Sequence, residues 1–245
     1  MRSVLALPRA ILNSFFLAGW TALSVSFGAL ATFVSRDSEL FYRWQRPWAK
    51  GLFRLCGVRV SVTGTEHMDT ARGYVVVANH QSHLDIPALF ATLPTIPRFL
   101  AKRELWKVPF LGAALRLGRH IAVDRSSGKS ARGSIEAAAQ RVEQGATVLF
   151  FPEGTRGDGT RLGKFKSGAF HVAKAARSAI LPVGVIGSRN VLPKHGRFLR
   201  PGLIRVKIGQ PIEVRDVECT DVKSLTDRVE RHVRELAELP EFSEA

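Results

Sequence analysis

Residues 10–35 read AILNSFFLAGWTALSVSFGALATFVS, an apolar run without a charge. As a helix it would extend about 39 Å, longer than the roughly 30 Å hydrocarbon core of a bilayer. It is long for the apolar region of a signal peptide, and Ala29-Leu30-Ala31 makes a weak cleavage site. A buried core helix is the other alternative. Asn13, Ser14, Thr21, Ser24 and Ser26 make the run less greasy than a typical span. The pattern predicts a membrane-embedded segment, either crossing the bilayer or turning back near Gly28. Over residues 39–56, Leu40, Phe41, Trp44, Trp48, Leu52 and Leu55 recur at three- and four-residue spacings. Arg43, Arg46, Lys50 and Arg54 fall mostly between them. Such a helix suits a bilayer surface or the flank of its own domain. Pro47 is expected to kink it.

Beyond residue 57 the period changes. Val58, Val60 and Val62 alternate with polar residues and stop at Gly64, as a half-buried strand would. Residues 73–78 form a continuous apolar run, the mark of a central strand. Further strands are predicted at 97–101, 120–123, 146–151, 180–186 and 203–208, and helices at 85–93, 109–117, 128–144, 167–177 and 221–239. The alternation predicts an α/β fold: a single layered domain, with a mostly parallel or mixed central sheet flanked by helices. The boundary falls between an N-terminal membrane segment, 1–56, and a catalytic domain, 57–245.

Composition adds a constraint on partners. The net charge is +15 and the pI about 10.8, which favours nucleic acid, anionic headgroups or acidic cofactors. The cations are spread along the chain without a nucleic-acid-type tail, so charge alone does not choose among these. Cys56 and Cys219 form no metal or redox motif, and a reducing compartment is the default.

The candidate chemistry sits where two apolar runs end. Asn79-His80-Gln81-Ser82-His83-Leu84-Asp85 follows the first, and Phe151-Pro152-Glu153-Gly154-Thr155-Arg156 ends the second. Five residues apart, His80 and Asp85 meet if the histidine leaves a strand and the aspartate opens the next helix. Asp85 would then fix the imidazole tautomer and leave the other nitrogen to deprotonate a hydroxyl. A metal site from His80, His83 and Asp85 lacks a second ligand cluster, and Ser82 lacks the G-x-S-x-G elbow of a nucleophile. A purely structural His–Asp pair is the bland alternative. In the second motif, Pro152 and Gly154 make a turn and Arg156 offers a planar fork to phosphate. Glu153 would bind a substrate hydroxyl or hold Arg156. Gly157, Gly159 and Gly163 have the wrong spacing for a dinucleotide loop. Lys102 and Arg125 each follow a predicted strand and would add cations beside the site.

These motifs, in this order with Ile180-Leu181-Pro182-Val183 after them, resemble the glycerolipid acyltransferases, most closely those of the bacterial 1-acyl-sn-glycerol-3-phosphate type. The resemblance covers about residues 52–211. It implies that His80 is the general base on a lysophospholipid hydroxyl, that Asp85 orients it, and that Lys102 lies beside it. It further implies that Arg125, Glu153, Gly154, Thr155 and Arg156 hold the phosphorylated glycerol. The donor would be acyl-CoA or acyl-carrier protein, with no metal or other cofactor and no nucleic-acid partner. Membrane lipids would surround the N-terminal segment, and the catalytic domain would face the cytoplasm at a bacterial inner membrane. Ala122 and His120 replace the usual bulky aromatic before Arg125, which leaves another acceptor such as lyso-ornithine lipid as an alternative. The related lipid A acyltransferases carry glutamate at the position of Asp85, which argues against that branch. A thioesterase, with water as the nucleophile, and a non-catalytic anion-binding module are the remaining readings.

Overall fold

The computed structural model describes residues 6–37, 39–108, 110–123, 128–196, 198–214 and 221–240. The apolar run forms one helix, α1 (Ala6–Ser35), and α2 (Leu40–Leu55) folds back along it. The helix does not turn at Gly28. That glycine lies instead where α2 comes closest: a Cβ there would meet the Phe41 ring at 3.0 Å and Trp44 at 3.1 Å. Gly51 on α2 gives Trp20 of α1 the same room, with the indole 2.5 Å from where a Cβ would stand. Trp20 Nε1 then donates to the Trp48 carbonyl at 2.9 Å. α2 runs as one helix through Pro47.

The C-terminal part of the apolar side of α2 faces the sheet. Leu52, Phe53 and Cys56 pack into the same buried cluster as Val76, Leu181 and Ile204 of the sheet. The amphipathic pattern identified a face, and at Leu52 the domain covers it, while Leu55 stays exposed. The core therefore runs continuously across residue 56. α1 differs: only 11% of its most apolar window is buried, so it is not a core helix.

Seven strands form one sheet: β1 (Val58–Thr63), β2 (Val75–Ala78), β3 (Arg98–Lys102), β4 (Ile121–Val123), β5 (Val148–Phe150), β6 (Ile180–Ile186) and β7 (Gly202–Ile208). Their order is β1-β7-β6-β2-β5-β3-β4. β6, β2, β5, β3 and β4 run parallel, while β7 is antiparallel to β6 and parallel to β1. Period-two geometry splits β2 between two cores. Val76 and Ala78 face the cluster built with α2 and α3 (Asp85–Thr92). Val75 and Val77 face the one built with α5 (Gly128–Glu143), α6 (Gly168–Ala175) and α8 (Val222–Leu236). The short α4 (Leu111–Leu117) and α7 (Ser188–Val191) lie in the crossovers after β3 and β6.

His120 ties α2 to the sheet. Its ring packs against Phe90 and Phe99, with centroids 5.8 Å and 3.9 Å away. Nε2 is 2.9 Å from Gln45 Oε1, and Nδ1 accepts the Phe99 N–H at 3.3 Å. The ring is therefore neutral with its proton on Nε2. Burial, reinforced by the Arg98 cation, pushes its pKa down to about 3.

Candidate active site

Parallel strands β2 and β5 are neighbours, so their carboxyl ends point the same way and deliver both motifs to one edge. The β2 run ends at Asn79, whose side chain extends the sheet beyond its last strand pair. Nδ2 donates to the Val185 carbonyl at 2.8 Å and Oδ1 accepts the Val185 N–H at 2.7 Å. Both polar ends of this buried amide are thereby matched, and His80 leaves the sheet from a fixed point.

Asp85, fully buried at the first turn of α3, collects three donors on one oxygen. His80 Nδ1 donates to Oδ2 at 2.7 Å, the Gln81 N–H at 2.7 Å and the Ser82 N–H at 2.9 Å. A carboxylate can only accept, so Nδ1 carries the proton and Nε2 is the basic nitrogen. The imidazole lies flat on Phe151, with centroids 4.0 Å apart and planes at 15°. Ser82 is fixed elsewhere: its hydroxyl donates to the Leu192 carbonyl at 2.7 Å.

Glu153 links the two motifs. One carboxylate oxygen accepts the His80 N–H at 2.7 Å and the other the Gly163 N–H at 3.0 Å. The His80 carbonyl accepts the Gly157 N–H at 2.8 Å, closing the junction. Burial raises the Glu153 pKa, against the opposing pull of those two N–H groups. Both oxygens are engaged with backbone, so this side chain holds the histidine loop onto the second motif. Gly154 turns the chain with φ of 75°, and the Lys166 amine lies 2.7 Å from where its Cβ would be.

Two clefts open on either side of this junction. One, of 500 Å³, contains His80, Lys102 and Lys166 and is otherwise lined largely by apolar groups such as Ile86, Phe99, Leu149 and Phe151. Lys102, at the end of β3, pairs with Glu104 at 3.4 Å. The other cleft, of 840 Å³, is basic: Thr155, Arg156, Arg161, Lys164, Arg189 and Lys194 line it. Arg156 Nη1 donates to the Lys194 carbonyl at 3.0 Å, which spans the cleft and aims the guanidinium. Of the sequence-predicted residues, His80, Asp85, Lys102, Glu153, Gly154, Thr155 and Arg156 thus converge on one edge of the sheet. Arg125 lies outside the described residues, as does Cys219. Asn79 and Phe151 belong to the motifs but were given no role of their own from sequence, and Arg189, far along the chain from both motifs, carried no local signal.

The His80–Asp85 pair thus lies between an apolar and a basic cleft, and the chain belongs to the acyltransferase family, whose model matches residues 59–186. Within it, the chain is 36% identical over 180 residues to the 1-acyl-sn-glycerol-3-phosphate acyltransferase alpha of Mus musculus, covering 73% of this chain and 63% of that protein. The 1-acyl-sn-glycerol-3-phosphate acyltransferase of Saccharomyces cerevisiae is 31% identical over 225 residues, covering 90% of this chain and 74% of its own. The chain thus spans just under two thirds of the mammalian relatives' length. The crystal structure of the 1-acyl-sn-glycerophosphate (LPA) acyltransferase PlsC from Thermotoga maritima superposes with a TM-score of 0.83 at 26% identity, covering 97% of this chain and 98% of that one.

Proposed function

We propose that the chain transfers an acyl group from an acyl thioester to the free hydroxyl of 1-acyl-glycerol-3-phosphate, giving phosphatidic acid. The observation that carries this reading is the placement of His80 Nε2 beside a largely apolar cleft, one turn of chain away from the cationic cleft of Arg156. Nε2 takes the hydroxyl proton as the oxygen attacks the thioester carbonyl. Asp85 stabilises the resulting imidazolium. The tetrahedral oxyanion needs positive charge or N–H donors, and Lys102 and Lys166 line the same cleft. Collapse expels the thiolate, which recovers the proton from His80, so the histidine is regenerated. Arg156 takes the acceptor phosphate with its planar fork, joined by Thr155 and the Gly154 turn, and Arg125 adds a second cation. Glu153 acts on the substrate through the loop it holds.

The named relatives share the acceptor chemistry, and acyl-CoA or acyl-carrier protein serves as donor. The exposed outer face of α1, with Phe15, Phe16, Phe27 and Phe33, is buried in lipid, so the acceptor arrives laterally from the membrane. Donor thioesters are cytoplasmic, which places the catalytic domain on the cytoplasmic side, at the inner membrane of a bacterial cell.

The test is one incubation series in detergent. Labelled acyl-CoA and acyl-carrier protein are offered with lysophosphatidic acid, glycerol 3-phosphate, lyso-ornithine lipid, a monoacylglycerol or no acceptor. Transfer to lysophosphatidic acid well above the others is expected. Thioester hydrolysis without transfer, or preference for the ornithine lipid, overturns the reading.

A further inference from the structure

Outside α1, the large apolar side chains exposed among the described residues are Leu55, Leu105, Val108, Phe110, Leu111 and Leu203. Four of these six fall within residues 105–111, the turn that carries β3 into α4. Leu105 is 38% exposed, Val108 44%, Phe110 72% and Leu111 42%. Single exposed leucines are ordinary on a soluble surface; such clustering is not. Phe110 also holds a φ of 59°, a backbone region that bulky residues rarely adopt. The turn is held in this shape. The Gly112 N–H donates to the Val108 carbonyl at 2.8 Å, and Arg116 Nη1 donates to the Trp106 carbonyl at 3.2 Å. It therefore presents its apolar side chains rather than folding them inward.

We infer that this turn is a second insertion point into the lipid surface, and that it sets the mouth of the His80 cleft at the hydrocarbon. The inference rests on the membrane association and the reaction proposed above. Three observations commit the occupant to lipid. First, the surface is continuous with α1: Leu111 and Leu115 of α4 close a 150 Å³ apolar cavity together with Thr21, Ser24 and Val25 of α1. The exposed Phe27, Leu30, Phe33 and Val34 lie on the half of α1 that follows this contact. Second, Arg103, Lys107 and Arg116 flank the apolar tip in sequence, as long cations do where they place the stem in the apolar zone and the charge among headgroups. Third, Leu105 lines the cleft that holds His80 and Lys102. A lipid acceptor can therefore pass from the leaflet into the cleft along apolar surface, without leaving the bilayer.

The experiment uses the full chain in vesicles of phosphatidylcholine and phosphatidylglycerol. A polarity-sensitive dye on Val108→Cys reports insertion independently of activity. Quenching by lipids brominated along the acyl chain is expected. A dye that stays in water overturns the proposal even if the protein is an acyltransferase. In parallel, Phe110→Asn combined with Val108→Ser is assayed on a long-chain acceptor in vesicles and on a short-chain acceptor dissolved as monomers. Circular dichroism checks that the fold is kept. The double variant should lose about tenfold or more on the vesicle acceptor, the partition lost with two buried apolar side chains, and change less than about twofold on the soluble one. Equal losses on both, or none on either, overturn the proposal. A loss that follows the donor, carrier protein against CoA, makes the turn a protein-docking surface instead. Failure of the unaltered protein on both acceptors would refute the reaction and leave the dye result standing.

Discussion

His120 makes the stability of the domain depend on pH in a way that can be worked out from its surroundings. Its pKa is about 3 in the fold, against about 6.5 in the unfolded chain. The folded state favours the neutral ring, so stability is full above the unfolded pKa and is lost as pH falls toward the folded one. At about pH 5 the unfolded chain has gained the proton and the folded one has not. The loss is then roughly 1.5 units at 1.36 kcal/mol each, or about 2 kcal/mol. For a domain of this size that lowers the melting temperature by about 4–8 °C. The cause is local: an imidazolium would aim a second N–H at the Phe99 N–H, which Nδ1 now accepts, against two aromatic rings. The control is His120→Gln, which keeps a donor for Gln45 Oε1 and does not titrate. Thermal unfolding of both proteins in detergent, from about pH 7.5 down to pH 5, isolates the histidine because all other groups are common to both. The wild type should be the more stable at neutral pH, and the gap should narrow by about 2 kcal/mol at the acid end. Parallel curves would refute the buried neutral ring.

Three further outcomes bear on the site. His80→Ala should lower turnover by about 10²–10⁴-fold with the fold retained, Asp85→Asn should be nearly as damaging through the wrong tautomer, and His83→Ala should be mild; steady-state kinetics and circular dichroism check all three. Arg156→Lys should raise KM for the phosphorylated acceptor far more than for the thioester, because lysine keeps the charge and loses the fork. Glu153→Gln offers one acceptor where two N–H groups need two, so it should cost about 1–3 kcal/mol of stability; its activity loss should appear in kcat more than in acceptor KM.

The His80–Asp85 pairing was legible because residue type and spacing leave few alternatives for a histidine at a strand end and an aspartate opening the next helix. Strands such as β2 and β6 were legible because they are buried on both faces and read as continuous apolar runs. The partner of an amphipathic face was not. Trp44 and Trp48 at helical spacing look alike whether lipid or protein covers them, and only the contacts of Leu52 and Phe53 with the sheet decide. Strand direction was equally hidden, since nothing in residues 203–208 states that β7 runs against β6. Glu153 reads from sequence as a substrate ligand because a carboxylate beside an arginine invites it. Its bonds to the His80 and Gly163 amides depend on a chain path that no local pattern encodes.

Asn13 carries a consequence for how the molecule is made. Its side-chain amide, buried on α1, donates to the carbonyls of Cys56 and Leu199. The second partner follows 186 residues later in the chain. At a synthesis rate of about 5–20 residues per second, that delay is roughly 10–40 s. Throughout it the helix is complete while Leu199, its farther partner, does not yet exist. On the membrane association proposed above, the helix enters lipid within that interval. The sheet is then completed against a helix already made, and the Leu199 contact ties the first helix to the late-made half of the domain.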